Sequence, residues 1–330
     1  MTVPAKTFVI SVGMLALMAG SAVTQQKALR AQEASTGPAA PAASDNQKIE
    51  TGRTLRTETE ITLVNVSVTD PVGRLVTGLQ QDNFQIFENG QEQEIVKFTS
   101  EDVPVSIGMI FDMSGSMTDK IDESRLAAVQ FFRTANPQDE FFLVDFNDRA
   151  QLVSQFTGSV DELQNRLLYT AAHGLTALFD GVYLGLNQMR EAQRTKKALL
   201  IISDGGDNHS RYTERDVRKF VREADVQIYA IGLFEPGGGP TPEEQNGPEL
   251  LYGLADMTGG RAFRVSNLNE LPDIAMKISV ELRNQYIIGY RPANRVHDGK
   301  WRKIKVKLRP PNGLPPLTVK AKQGYFAPVH

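Results

Sequence analysis

Asp112, Ser114 and Ser116 stand at alternate positions in the stretch DMSGS, directly after an apolar run, VSIGMIF, at residues 105–111. A helical pattern follows over residues 121–134. A buried strand running into a short polar loop and then a helix is how an α/β domain places chemistry at the carboxyl end of its sheet. One carboxyl and two hydroxyls on one turn offer three oxygen ligands. Mg²⁺ takes oxygen ligands in a near-octahedral shell and keeps several waters. The turn alone is a partial cage, and two later stretches could complete it. GLTAL at residues 174–178 opens a helical pattern and brings the hydroxyl of Thr176. ALLIISDG at residues 198–205 is a second buried strand, ending in Asp204. Two carboxyls and three hydroxyls are then available.

Each piece also has an ordinary structural role open to it. Ser114, Ser116 or Asp112 could cap the helix that follows, as such side chains do at amino termini. Thr176 could cap the helix that begins near Ala177. Asp204-Gly205 could be a plain turn. Asp119, Asp207, Asn208 and His209 lie close by in the sequence and are expected at the rim of the site, as is Asp145. Solvated loop positions account for all five better than a ligand role does.

The order Asp-x-Ser-x-Ser, then Thr, then Asp-Gly resembles the metal-ion-dependent adhesion site of von Willebrand factor type A domains. The resemblance covers residues 105–283, and the motif is complete. It implies that Ser114, Ser116 and Thr176 ligate a divalent cation directly, with Asp112 and Asp204 ligating directly or through water. The implied ion is Mg²⁺, with Mn²⁺ or Ca²⁺ as substitutes. One position stays open for an Asp or Glu carboxylate of a partner protein. Thr77-Gly78-Leu79, Asp82-Asn83-Phe84 and Glu88-Asn89 resemble the "TGL…DF…EN" pattern of a bacterial, acidobacterial-type subgroup, with one extra residue between the Asp and the Phe.

The elements that must position these residues alternate. Strands are predicted at residues 105–111, 140–147, 150–156, 197–203, 226–233 and 261–265. Helices are predicted at 121–134, 159–169, 178–192, 214–224, 249–257 and 268–283. Such alternation makes a Rossmann-like, doubly wound, mostly parallel sheet covered on both faces. The short link at residues 147–149 makes one edge pair a hairpin. Ser159 and Thr213 are expected helix N-caps. Residues 236–247, rich in Pro and Gly, read as a flexible loop.

The flanks read as β structure. Val64, Val66 and Val68 alternate with polar residues, but Ile61 and Leu63 fall on the opposite phase. Either a bulge or coverage of both faces explains that slip. Residues 70–73 are a turn, and 84–87 with 94–98 read as a hairpin about Asn89-Gly90. Strands are predicted again at 285–290, 303–308 and 317–321. Neither flank has enough strands for a core of its own, so the expectation is one small β-sandwich-like domain built from both, the alternative being two separate β extensions packed on the A domain.

The predicted layout is a signal peptide at residues 1–22 and a disordered linker at 23–48. The β domain (first part) spans 49–103, the A domain 104–283, and the β domain (second part) 284–326. Lys6, a short apolar core and the small residues 19–22 make the signal pattern, too short for the ~20 residues a spanning helix needs. Export to the periplasm, the envelope or the medium is expected, with no transmembrane span after cleavage.

A length of 330 residues suits more than one folding unit. A formal net charge of −3 with scattered basic residues implies no nucleic-acid partner. Without cysteine, disulfides, thiolate metal sites and cysteine catalysis are excluded. The four histidines are scattered, and no His-Glu-x-x-His, Gly-x-Ser-x-Gly or P-loop occurs. The leading expectation is a non-enzymatic binding module, since three neutral hydroxyls leave the ion electrophilic toward an outside anion. The alternatives are a metal-dependent hydrolase of phosphatase type with Asp112 as nucleophile, and an envelope scaffold that holds no metal. A haloacid-dehalogenase-type phosphatase would want a second acid at position 114, where this chain has Ser.

Overall fold

The computed structural model describes residues 61–329, apart from 169–170, 235–241, 310, 312 and the side chains of 243 and 244. The signal and linker segments expected before residue 49, and residues 49–60, lie outside the described residues. Among those described, no helix is long and apolar enough to cross a membrane.

The alternation of valines builds β1 (Thr62–Thr69), with Val64, Val66 and Val68 buried on one face. β2 (Phe84–Glu88) and β3 (Gln91–Gln93) form the hairpin about Asn89-Gly90, both in the left-handed region (φ 49° and 87°). The second arm is therefore residues 91–93, not 94–98. The chain turns at Glu94, and β4 (Ile95–Thr99) joins another sheet. A two-residue turn leaves no slack, so the strand after it pairs at once.

β5 (Val105–Asp112) is buried throughout. Then come α1 (Ile121–Arg133), β6 (Glu140–Phe146), β7 (Ala150–Thr157), α2 (Val160–Leu168), α3 (Leu178–Gln188) and β8 (Lys196–Ser203). α4 (Glu214–Glu223), β9 (Gln227–Leu233), α5 (Pro242–Thr258), β10 (Ala262–Val265) and α6 (Leu271–Arg283) complete the α/β unit. Its sheet runs β10-β9-β8-β5-β6-β7, parallel except for β7, the antiparallel edge. α1, α2 and α6 cover one face; α3, α4 and α5 cover the other. β5 is followed by β6 on one side, while β8 flanks it on the other. The crevice at its carboxyl end is a topological switch point, where open α/β sheets bind ligands. Thr213 caps α4 with a reciprocal Asp216 bond, and the Ser159 hydroxyl accepts from Glu162 N–H. α5 starts seven residues before the predicted helix at 249, within the stretch read as a loop. Pro242 suits a first helical turn, whereas Pro248 lies inside the helix and cannot donate a backbone hydrogen bond there.

β11 (Tyr286–Tyr290), β12 (Trp301–Leu308), β13 (Thr318–Ala321) and the unanticipated β14 (Gly324–Phe326) return to the first segment. One sheet runs β13-β1-β11-β4, the other β14-β12-β2-β3, so each mixes strands from both flanks. Phe84, Ile86, Tyr286, Ile288, Tyr290 and Ile304 fill the space between them with the β1 valines. The residues of the "TGL…DF…EN" pattern hold the flanks together. Tyr286 OH accepts from Leu79 N–H and donates to Val76 C=O, both at 3.0 Å. Glu88 accepts from Tyr290 OH at 2.8 Å and Tyr325 OH at 2.9 Å. Asn89 Oδ1 accepts from Lys303 N–H at 2.9 Å.

β1 pairs with β11 without a bulge from Thr62 to Val66. Its second face is covered instead. The Gln285 amide donates to Ser67 (3.1 Å) and to Tyr229 OH (3.0 Å), and Tyr229 donates to Glu281, itself paired with Arg261. That buried chain links sandwich and α/β unit, and the described residues all lie in one compact unit.

Candidate metal centre

Strand endings set the site. Asp112 is the last residue of β5, and Asp204 directly follows β8, the strand paired beside it. Both carboxyls are buried, Asp112 fully and Asp204 at 6% exposure. Asp112 Oδ1 accepts Ser114 N–H at 2.9 Å, and Oδ2 accepts the Ser203 hydroxyl at 2.6 Å. Burial, and then the negative charge of Asp204, push the Asp112 carboxyl up to about 7. Ser203 also accepts Gly205 N–H at 2.9 Å, so one side chain ties the two acid-bearing loops.

Capping does not occupy the hydroxyls. Ser114 precedes a single 3₁₀ turn, Gly115–Met117, without a side-chain cap bond, and Lys120 holds the N-cap position of α1. The Ser114 and Ser116 hydroxyls lie 3.0 Å apart. Ala177 holds the N-cap position of α3, again without a side-chain cap. Thr176 is held by its backbone: its N–H donates to Asn208 Oδ1 at 2.9 Å, and its C=O accepts from Asn208 and His209 N–H at 3.0 and 3.1 Å. Gly115 N–H donates to Gly174 C=O at 3.0 Å, so the three loops are joined in series. Leu175 N–H is fixed by Asp148 Oδ1 at 2.8 Å.

Asp207 and Asn208, expected at the rim, work inside this loop network. Asp207 accepts Phe179 N–H at the start of α3 and the Ser210 hydroxyl, and burial raises its pKa. Asp119 and His209 are exposed. Asp145, half-buried on β6, is raised to about 6 by burial, against the influence of His173.

Two features bear on whether a cation fits. Asp204 Oδ1 is buried and has no hydrogen-bond partner. Asp204 Oδ2 has the Lys120 ammonium at 3.5 Å, a contact too long to be strong. Two buried carboxyls with one such counter-charge leave local negative charge that a divalent ion would neutralise. Among the described residues no three His, Cys, Asp or Glu cluster around a metal-sized space. Two carboxyls and three hydroxyls make an all-oxygen donor set, of the kind that suits a hard divalent cation.

Sequence reasoning overlooked Ser203, Lys120, Asp148 and Gly247. Ser203 was visible as a polar end to an apolar strand. Gly247 was not: an added Cβ there would sit 2.7 Å from Gly205 C, and Gly205 itself has φ +84°. The first turns of α5 thus touch the Asp204 turn backbone to backbone.

Residues 108–206 match the family model of the von Willebrand factor type A domain. The α/β unit is thus the part of the chain that carries the von Willebrand factor type A domain. It is similar to inter alpha-trypsin inhibitor heavy chain 4 of Mus musculus, 26% identical over 150 residues. That match takes in 41% of this chain and 16% of the mouse protein. Among solved structures, a von Willebrand factor type A protein from Catenulispora acidiphila superposes with TM-score 0.47 at 13% identity, over 83% of this chain and 75% of that one. Proximal thread matrix protein 1 from the mussel byssus, described with a zinc-occupied MIDAS motif, gives TM-score 0.46 at 17% identity, over 59% and 49%.

Proposed function

We propose that this is an exported protein-binding module that holds Mg²⁺ through Asp112, Ser114, Ser116, Thr176 and Asp204. The ion would supply an electrophilic position for the Asp or Glu carboxylate of a partner protein. The observation that carries this is the buried, unpartnered Asp204 Oδ1 beside fully buried Asp112. Uncompensated charge of that kind is costly to hold without a cation. The chain's own part is positional. Ser203 and Ser114 N–H orient Asp112, while Asn208 and His209 fix the loop that carries Thr176. Export rests on the amino-terminal sequence pattern.

A phosphatase-like hydrolase finds less support. Asp112 is fully buried, which leaves its carboxyl poorly placed to attack a phosphate ester. His173, near the site, bonds Ala171 C=O and the Asn147 amide, which leaves it poorly disposed as a base.

Titration calorimetry with Mg²⁺, Mn²⁺ and Ca²⁺ tests the proposal. The expected result is saturable binding that Asp112→Ala abolishes without loss of the folded circular-dichroism signal, since this polar carboxyl lies at a sheet end. Capture of an acidic-residue partner from envelope extract should follow the same pattern and fail in EDTA. Unchanged metal affinity in Asp112→Ala would overturn the site.

A further inference from the structure

Along β12 the side chains alternate. Arg302 and Ile304 are buried, while Lys303, Lys305 and Lys307 are exposed. Arg309, also exposed, continues the alternation one step past the strand. Same-face neighbours on a strand are about 6.8 Å apart, so these four cations form a row of roughly 20 Å. Among the described residues, none of the four is within ion-pair distance of a carboxylate, whereas Lys300 and Arg302 both pair with Asp298. Glu92 on β3 shares this face, but it lies two strands away, about 10 Å, and is bonded by the Gln85 amide. A chain of net charge −3 thus turns one unpaired basic face outward.

Aromatic rings border the row. The Lys307 ammonium lies 4.6 Å from the centre of the Phe87 ring. Trp301 and Phe326 pair across β12 and β14 with ring centroids 5.0 Å apart, and Phe326 is 40% exposed.

We propose that this sheet face docks on a membrane surface rich in anionic phospholipid headgroups. Lysine stems lie along an apolar boundary while their ammonium groups reach phosphate, and an exposed ring such as Phe326 settles at headgroup depth. Each cation near such a surface strengthens binding about fivefold. A single-stranded polyanion fits less well, because it needs free ring faces as stacking platforms. Here Lys307 covers Phe87, and Trp301 and Phe326 pack edge to face. The sandwich meets the amino ends of β8 and β9, where Leu63 and Trp301 share a cavity with Lys196 and Gln227. The metal centre lies at the carboxyl ends, so docking leaves it free for a partner.

Vesicle flotation of the full chain tests this, comparing phosphatidylglycerol with phosphatidylcholine vesicles in EDTA. Insertion of the apolar amino-terminal segment would appear equally on both. The expected result is an excess affinity for phosphatidylglycerol that high salt removes. The combined Lys303→Gln, Lys305→Gln and Lys307→Gln variant should lower that excess on the order of a hundredfold, with the three Lys→Arg changes retaining it. An excess that survives high salt, or survives the Gln substitutions, overturns the proposal. So does binding of soluble polyphosphate with no preference for phosphatidylglycerol vesicles. Should the Gln variant melt early, the salt response of the unaltered chain decides.

Discussion

Asp112 is held where its charge is unwelcome. Its ordinary pKa of 3.8 rises to about 7 through burial and through Asp204. The folded metal-free protein therefore binds a proton more tightly than the unfolded chain does between those values. Proton linkage then lowers stability as pH rises through that window, with the full penalty above about 7 and none below about 4. Thermal melts in EDTA should show this as a falling melting temperature from pH 5 to pH 8, beyond what Asp112→Asn shows. Metal must displace the same proton, so Mg²⁺ affinity should weaken by about tenfold per unit as pH falls below about 7. Affinity that is flat between pH 5.5 and 7.5 would mean Asp112 is ionised without metal.

Elements reach the site through backbone contact. α5 meets the Asp204-Gly205 turn at Gly247, where carbon on either glycine would come within 3 Å of the other. Gly205 also needs its positive φ, which a side chain resists. Gly247→Val should push α5 against the turn and displace Asp204. Metal affinity is expected to fall about tenfold or more, the range for residues that orient ligands without touching metal. The central sheet, packed on both faces, should keep its near-ultraviolet signal. Normal Mg²⁺ affinity in that variant would show that the Asp204 turn does not depend on α5.

At the scale of the molecule, the two flanks are one structure. Each four-stranded sheet needs strands from both, and Tyr286, Tyr290 and Tyr325 of the second flank bind Leu79 and Glu88 of the first. Removing residues 284–330 should expose the apolar faces of β1 and β2, and limited proteolysis should then cut within residues 61–101. Full protection of that segment in the truncated chain would mean that it is stable alone. A local probe is Glu88→Ala, expected to cost about 1–3 kcal/mol for each of the two tyrosine hydroxyls it leaves without an acceptor. Chemical denaturation measures it.

By itself, the sequence determined what local pattern can carry. Apolar runs ending in Asp112 and Asp204, the helix signals between them and the short link before β7 specified a doubly wound sheet with its acids at strand ends. Val64, Val66 and Val68 announced a half-buried strand, because side-chain alternation is a property of the strand itself. Only tertiary structure decided what depends on neighbours distant in the chain. It set the hairpin partner of β2, because Glu94 carries β4 into the opposite sheet. It covered the second face of β1 through Gln285 and Tyr229, and brought Gly247 against Gly205. It also decided which face of the basic strand β12 meets water. The alternation of Lys303, Lys305, Lys307 and Arg309 with apolar residues is legible in the sequence, but packing against the β1 sheet is what turned the apolar positions inward and left the cations outward.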